Sequence, residues 1–274
     1  MGNLLKTDLK RIIKDKLFLI ICIIGAVMAV FTPLLNKLLA DNINIDGEIE
    51  FFIVTAKYLF FNSFSATNNF GLLLPIFVTI IIFKDFSHGT IRNKIICGNS
   101  RLKIFLSIFL SSFIIIFGVI LIQALLSLLI SLMFFKYTDA TTANSEFLYF
   151  LESLMFVIIN YVFIAALVSF FCVFMKNSGT AIVCFVAVCI LLSSLPLVFE
   201  VYVSIIETNE SKKGLVDFLN FLIDTNIYNN LAYVIGKGTT YTNQQVMKIL
   251  FPPVLFSGLF ITLSILIFKK KDIK

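Results

Sequence analysis

The sequence predicts an all-α, polytopic membrane protein with six transmembrane helices, both termini cytoplasmic and an N-terminal amphipathic interfacial helix. Three observations predict it. Of 274 residues, 59% are hydrophobic and 14% charged, with a mean hydropathy of +1.00, whereas a soluble domain carries about 25% charged residues. The charges are gathered between six uncharged runs of 20 residues or more, and about 20 apolar residues make a helix that crosses the hydrocarbon. The basic residues are unevenly divided among the segments that join those runs.

The first element is basic and amphipathic. Leu4, Leu5, Leu9, Ile12, Ile13 and Leu17 form one helical stripe, with Lys6, Lys10, Arg11 and Lys14 opposite. Such a helix lies in the interface plane, its cations reaching anionic headgroups; the alternative is an N-terminal extension of the first span. Residues 1–16 are assigned to it. The uncharged runs are Leu17–Asn36, Tyr58–Phe83, Ile104–Phe135, Ser153–Met175, Asn177–Phe199 and Ile249–Phe268. They place spans at about 17–36, 64–83, 104–130, 153–175, 180–199 and 249–268, which form one transmembrane domain over 17–268. The second run opens on polar residues, so its hydrocarbon part lies towards Phe83. A cleaved secretion signal competes for the first run. Its length and the lack of a small-x-small site after it favour an uncleaved span.

Orientation follows from Lys and Arg, which favour the cytoplasmic side of short loops. Segments 1–16, 84–103, residue 176 and the basic tail 269–274 hold 15 of the 22. Both termini are therefore expected in the cytoplasm, and the net charge of +6 is a matter of topology, with no nucleic acid as partner. Four cysteines fall within spans and Cys97 in a cytoplasmic loop, so no disulfide is expected.

The spans contain no ionisable residue, which disfavours a carrier driven by its own ion gradient. Gln123 and Asn160 are the main midspan polar side chains, suited to an interhelical hydrogen bond or to a contact with cargo. Gly25 to Ala29, Ser127 to Ser131 and Ala165 to Ser169 are small pairs four residues apart, a spacing that permits close helix approach. The one His, His88, has no metal-ligating or triad partners nearby. No metal site, cofactor or catalytic residue is expected in this chain, and the protein is not expected to be an enzyme. Gly236-Lys237-Gly238-Thr239-Thr240 lacks the earlier glycine and the Ser or Thr after the lysine of a phosphate loop, and is taken as a turn. In the last external loop, 200–248, Leu215, Phe218, Leu219 and Leu222 have the spacing of a short amphipathic helix, and Pro252-Pro253 suits a break before the final span.

Lys84 to Lys103 is too long for a minimal turn. Ser87 suits the cap of a short helix through Ile96, with Gly98 ending it and a new helix starting near Ser100. Composition leaves two readings open, a solvated basic hairpin or a docking surface.

Phe83-Lys84-Asp85, then Gly89-Thr90-Ile91-Arg92-Asn93-Lys94, Gly98-Asn99-Ser100-Arg101 and Ile104-Phe105-Leu106-Ser107 resemble the signature of type-2 ATP-binding-cassette exporter permeases. The likeness is to small bacterial members that export, or give immunity to, peptide antibiotics and amphipathic peptides. It extends along the chain through the basic first helix, the short connection at Lys176-Asn177-Ser178-Gly179 and the Lys-rich end. The chain departs from the pattern at Ile108, where many relatives carry Lys.

The resemblance implies a permease subunit of the bacterial plasma membrane. Its partners would be a second permease copy, identical or not, and two cytoplasmic ATPase subunits that hold the ATP and Mg. The coupling helix then falls at about Asp85 to Cys97. Asp85, His88, Thr90, Arg92, Asn93 and Lys94 become ATPase contacts and Gly89 and Gly98 the framing bends, while Arg101, with Lys6, Lys10, Arg11 and Lys14, anchors at headgroups. Peptide-like or amphipathic cargo is what the resemblance favours. A peptide receptor or immunity scaffold without transport is the main rival, and an ion-coupled carrier the lesser one.

Overall fold

In the computed structural model, residues 1–43, 54–65, 69–137, 143–206, 213–226 and 241–271 are described, and every regular element among them is an α-helix. Helix α1 (Gly2–Lys14) ends at Asp15, whose backbone is extended. The Asp15 carboxylate accepts the Leu17 N–H at 3.0 Å and so starts α2 (Lys16–Ile43) in the manner of an N-cap. A short α3 (Ala56–Asn62), capped by Thr55 on the Tyr58 N–H, precedes α4 (Asn69–Ser87) and α5 (Thr90–Ile96). Next come α6 (Arg101–Ser131), α7 (Ala143–Phe174), α8 (Ser178–Ile206), α9 (Lys213–Asp224) and α10 (Asn243–Lys270).

Helices α2, α6, α7, α8 and α10 are each long and apolar enough to cross a membrane. Helices α4 and α5, bent by 54° across Gly89, reach that standard only as a pair. Among the described residues there are therefore five or six membrane-spanning candidates. Long-range contacts order them. Asp15 at the start of α2 meets Lys84 at the end of α4, Arg101 at the start of α6 meets the end of α10, and Lys271 meets the end of α7. The chain thus returns repeatedly to one end of the bundle, which also holds α1 and is rich in basic residues.

At the centre is α7. Its apolar window is 78% buried, against 17% for α8, and Phe163 to Ser169 are buried on all sides. A helix buried all round needs neighbours that come close, and Ala165, Ala166 and Ser169 remove the bulk that would prevent it. Helix α2 lies against α6 and α4 through a buried stripe of Ile21, Gly25 and Ala29. Several hydroxyls inside the bundle bond within their own helices, Ser112 to the Ile108 carbonyl at 2.7 Å and Ser169 to that of Ala165 at 2.8 Å, so these two are satisfied where no water is available.

Three features differ from the sequence expectation. The helix of the second uncharged run starts at Asn69 and runs to Ser87, four residues beyond Phe83. Ser87 does not cap a helix, since its hydroxyl donates to the Phe83 and Lys84 carbonyls within α4. Pro252-Pro253 interrupt nothing, because α10 continues through them from Asn243. The loop helix appears as α9, with Asp224 paired to Lys248 of α10, whereas the turn at Gly236–Thr240 and the tail beyond Lys271 lie outside the described residues.

Candidate functional site at the basic end of the bundle

Helix α1 carries two sets of charges on different faces. Lys6, Lys10 and Lys14 are exposed, one turn apart beside Leu5, Leu9 and Ile13 along an open apolar groove. On the inward face are Ile12 and, unexpectedly, Asp8, which is only 2% exposed. Asp8 accepts from Lys94 Nζ at 2.6 Å and from Ser107 Oγ at 2.7 Å. Lys94 also stands 3.9 Å from Asp85, itself 3% exposed, and Asp85 forms an ion pair with Arg11. Buried charges are tolerated only when paired, and this alternating run joins α1, α4, α5 and α6. Burial pushes the Lys94 ammonium below its ordinary pKa, with Asp8 acting against that. Burial likewise lowers the Arg11 guanidinium, opposed by Asp8 and Asp15.

Three consecutive residues at the end of α4 act as a hub. Lys84 binds Asp15 at 2.6 Å, Asp85 binds Arg11, and the Phe86 ring meets Phe268 edge to face at 6.3 Å and lies 5.0 Å beneath the Lys271 ammonium. Successive helical side chains diverge by about 100°, so each is directed at a different neighbour. The Asp15 carboxyl is held below the usual carboxylate range. Partial burial opposes this, but the Lys84 hydrogen bond and the Leu17 N–H outweigh it.

From this hub α5 projects. Gly89 and Gly98 have φ of 67° and 82°, the left-handed region open to glycine at little cost, and they turn the chain into α5 and out of it. Ile91 is buried and Lys94 points inward, whereas Arg92, Asn93 and Ile96, the last 72% exposed, form a free outer face. His88 and Cys97 are exposed beside it, and Thr90 is half-buried.

The expected site residues therefore divide. His88, Arg92 and Asn93 remain available on the surface, while the Asp85 and Lys94 side chains are taken up inside the protein. The half-buried Arg11 side chain turns to Asp85 as an ion-pair partner. Arg101 turns to the end of α10. It donates to the carbonyls of Lys269 at 2.7 Å and Lys271 at 2.8 Å. In the bundle, Asn160 donates to the Phe156 carbonyl of its own helix at 2.8 Å and makes no interhelical bond with that amide. The Gln123 and Asn160 side-chain oxygens are buried without a partner among the described residues.

Asp8, Asp15, Ser107, Phe86 and Lys271 escaped the sequence reading. Asp8 had a signal, since it stands one turn from both Leu4 and Ile12 within the apolar stripe. No curated protein matches the chain. A family model described as "Protein of unknown function (DUF2705)" matches residues 18–274, from the first turn of α2 onward, and the chain belongs to that family.

Proposed function

We propose that this protein is the permease subunit of an ATP-binding-cassette exporter of the bacterial plasma membrane, paired with a second permease and two separate ATPase subunits, and that its cargo is peptide-like or amphipathic. The observation that carries the reading is α5. It is a short helix between two left-handed glycines, fixed on its inner side through Ile91 and Lys94 and free on its outer side at Arg92, Asn93 and Ile96. A lever needs those two properties, a face to be pushed and a rigid connection to what moves. The basic end then lies in the cytoplasm with the ATP, and the fixed side passes motion to α1, α4 and α6 through the Asp8–Lys94–Asp85–Arg11 run.

Purification from native membrane in mild detergent, with mass identification of bound chains, tests it. A cytoplasmic ATPase should copurify. The pair Arg92→Ala and Asn93→Ala should lower its capture or its cargo-stimulated ATP turnover by about 10-fold, the loss of roughly 1.4 kcal/mol of contact energy, without reducing insertion. Cargo binding with no ATPase dependence would favour a receptor or immunity scaffold, and gradient-driven flux by the chain alone would favour a secondary carrier.

A further inference from the structure

The last described residue joins three helix ends. Helix α10 stops at Lys270, and the Lys271 backbone is extended, its N–H still held by the Ile267 carbonyl at 2.9 Å. The Lys271 ammonium turns back into the bundle and donates to the carbonyls of Val173 at 2.6 Å and Met175 at 3.2 Å. These belong to the end of α7. A helix leaves its last carbonyls without partners and carries partial negative charge there, so Lys271 closes α7 with a cation supplied by the strand of chain after α10. The same ammonium stands over the Phe86 ring of α4, a cation–aromatic contact strengthened by burial. Arg101 does for α10 what Lys271 does for α7, donating to Phe268 at 3.2 Å as well as to Lys269 and Lys271. Phe268 is buried between the rings of Phe86 and Phe105. Lys269 and Lys270, next in sequence, are exposed.

We infer that Lys271 is a positioning residue that makes the basic ends of α7 and α10 follow the last turn of α4. Motion arriving at α5 reaches α4 across the Lys94–Asp85 approach and the short Gly89 connection. From Phe86 it passes to Lys271 and Phe268, and through the Lys271 ammonium to α7, the most buried helix of the bundle. The basic tail is thereby divided by role. Lys271 works inside the protein, and Lys269 and Lys270 are left as surface charge. The exporter reading supplies the direction of the motion, but the mechanical linkage does not depend on it.

Hydrogen exchange of the full chain in lipid nanodiscs tests the linkage without any partner. In Lys271→Gln, amides at 173–177 and at 84–88 should both exchange about 10-fold faster, the effect of losing the charge-assisted hydrogen bonds at the first place and the cation–aromatic contact at the second. Lys271→Arg should restore both, and Lys269→Gln with Lys270→Gln should change neither. Faster exchange at 173–177 alone would reduce Lys271 to a helix cap and overturn the inference, as would no change at either place. In the assembled exporter, Lys271→Gln should lower cargo-stimulated ATP turnover and spare the basal rate. Failure to find an ATPase would sink the exporter reading and leave the exchange result to decide the linkage.

Discussion

Asp8 and Lys94 show how a single side chain can decide where a helix lies. Lys94→Met leaves Asp8 with Ser107 alone and takes a cation away from Asp85. Breaking a buried pair in this way costs about 3 kcal/mol, visible as a lower thermal midpoint in detergent, and Asp8→Asn in that background should recover part of it. No recovery would mean that Lys94 acts elsewhere. Asp15 makes a pH-dependent contribution. Its folded pKa lies below the ordinary 3.8, so the tie to Lys84 is fully present above that value and is lost as pH falls through the lower, folded value. Amide protection at the junction of α1 and α2, corrected for the intrinsic pH dependence of exchange, should stay constant down to the ordinary carboxylate range and fall below it, and Asp15→Asn should abolish that dependence. Residues of this kind were partly legible. Asp8 interrupts an apolar stripe, a local sign of a buried carboxylate. Lys271 and Phe86 carried no such sign, because their partners are on the order of 100 residues or more away in the chain.

At the scale of elements, the helices were legible and their ends less so. An uncharged run of 20 residues leaves little choice but a helix in hydrocarbon, since every backbone polar group must find its partner nearby. The run does not specify where polar flanks stop being helical, hence the second span that begins at Asn69 and absorbs Ser87. Gly89, not Ser87, sets the start of α5. A Cβ at Gly89 meets no atom within 4 Å, so Gly89→Ala is opposed by the left-handed φ alone, at about 1–2 kcal/mol. Protection of the amides in α5 should fall in Gly89→Ala and be largely retained in Gly89→Asn, because Asn visits that region readily. Equal effects of the two would show that space, not backbone angle, is limiting. Pro252 and Pro253 misled for a related reason. Proline breaks a helix most forcefully in water, but neighbouring helices can hold a membrane helix through it.

For the whole molecule, alternating passes bring α1, the hub of α4, α5 and the end of α10 to one side, which faces the cytoplasm in the proposed orientation. Cys97 is exposed there. In a Cys22→Ser background, a membrane-impermeant maleimide should label Cys97 in inside-out vesicles and not in right-side-out ones; labelling from outside would invert the orientation. Composition and charge made the overall layout readable, but not which helix is central, since the hydropathy of α7 resembles that of its neighbours and only its small residues hint at burial. The hub has one more consequence. Lys84, Asp85 and Phe86 each serve a different neighbour, so their register is shared. Deleting one residue upstream within α4 turns all of them together by about 100°, and no single compensating substitution can realign three partners at once. Length variation in this protein should therefore be accepted in the connections at the far end and refused between Pro75 and Gly89.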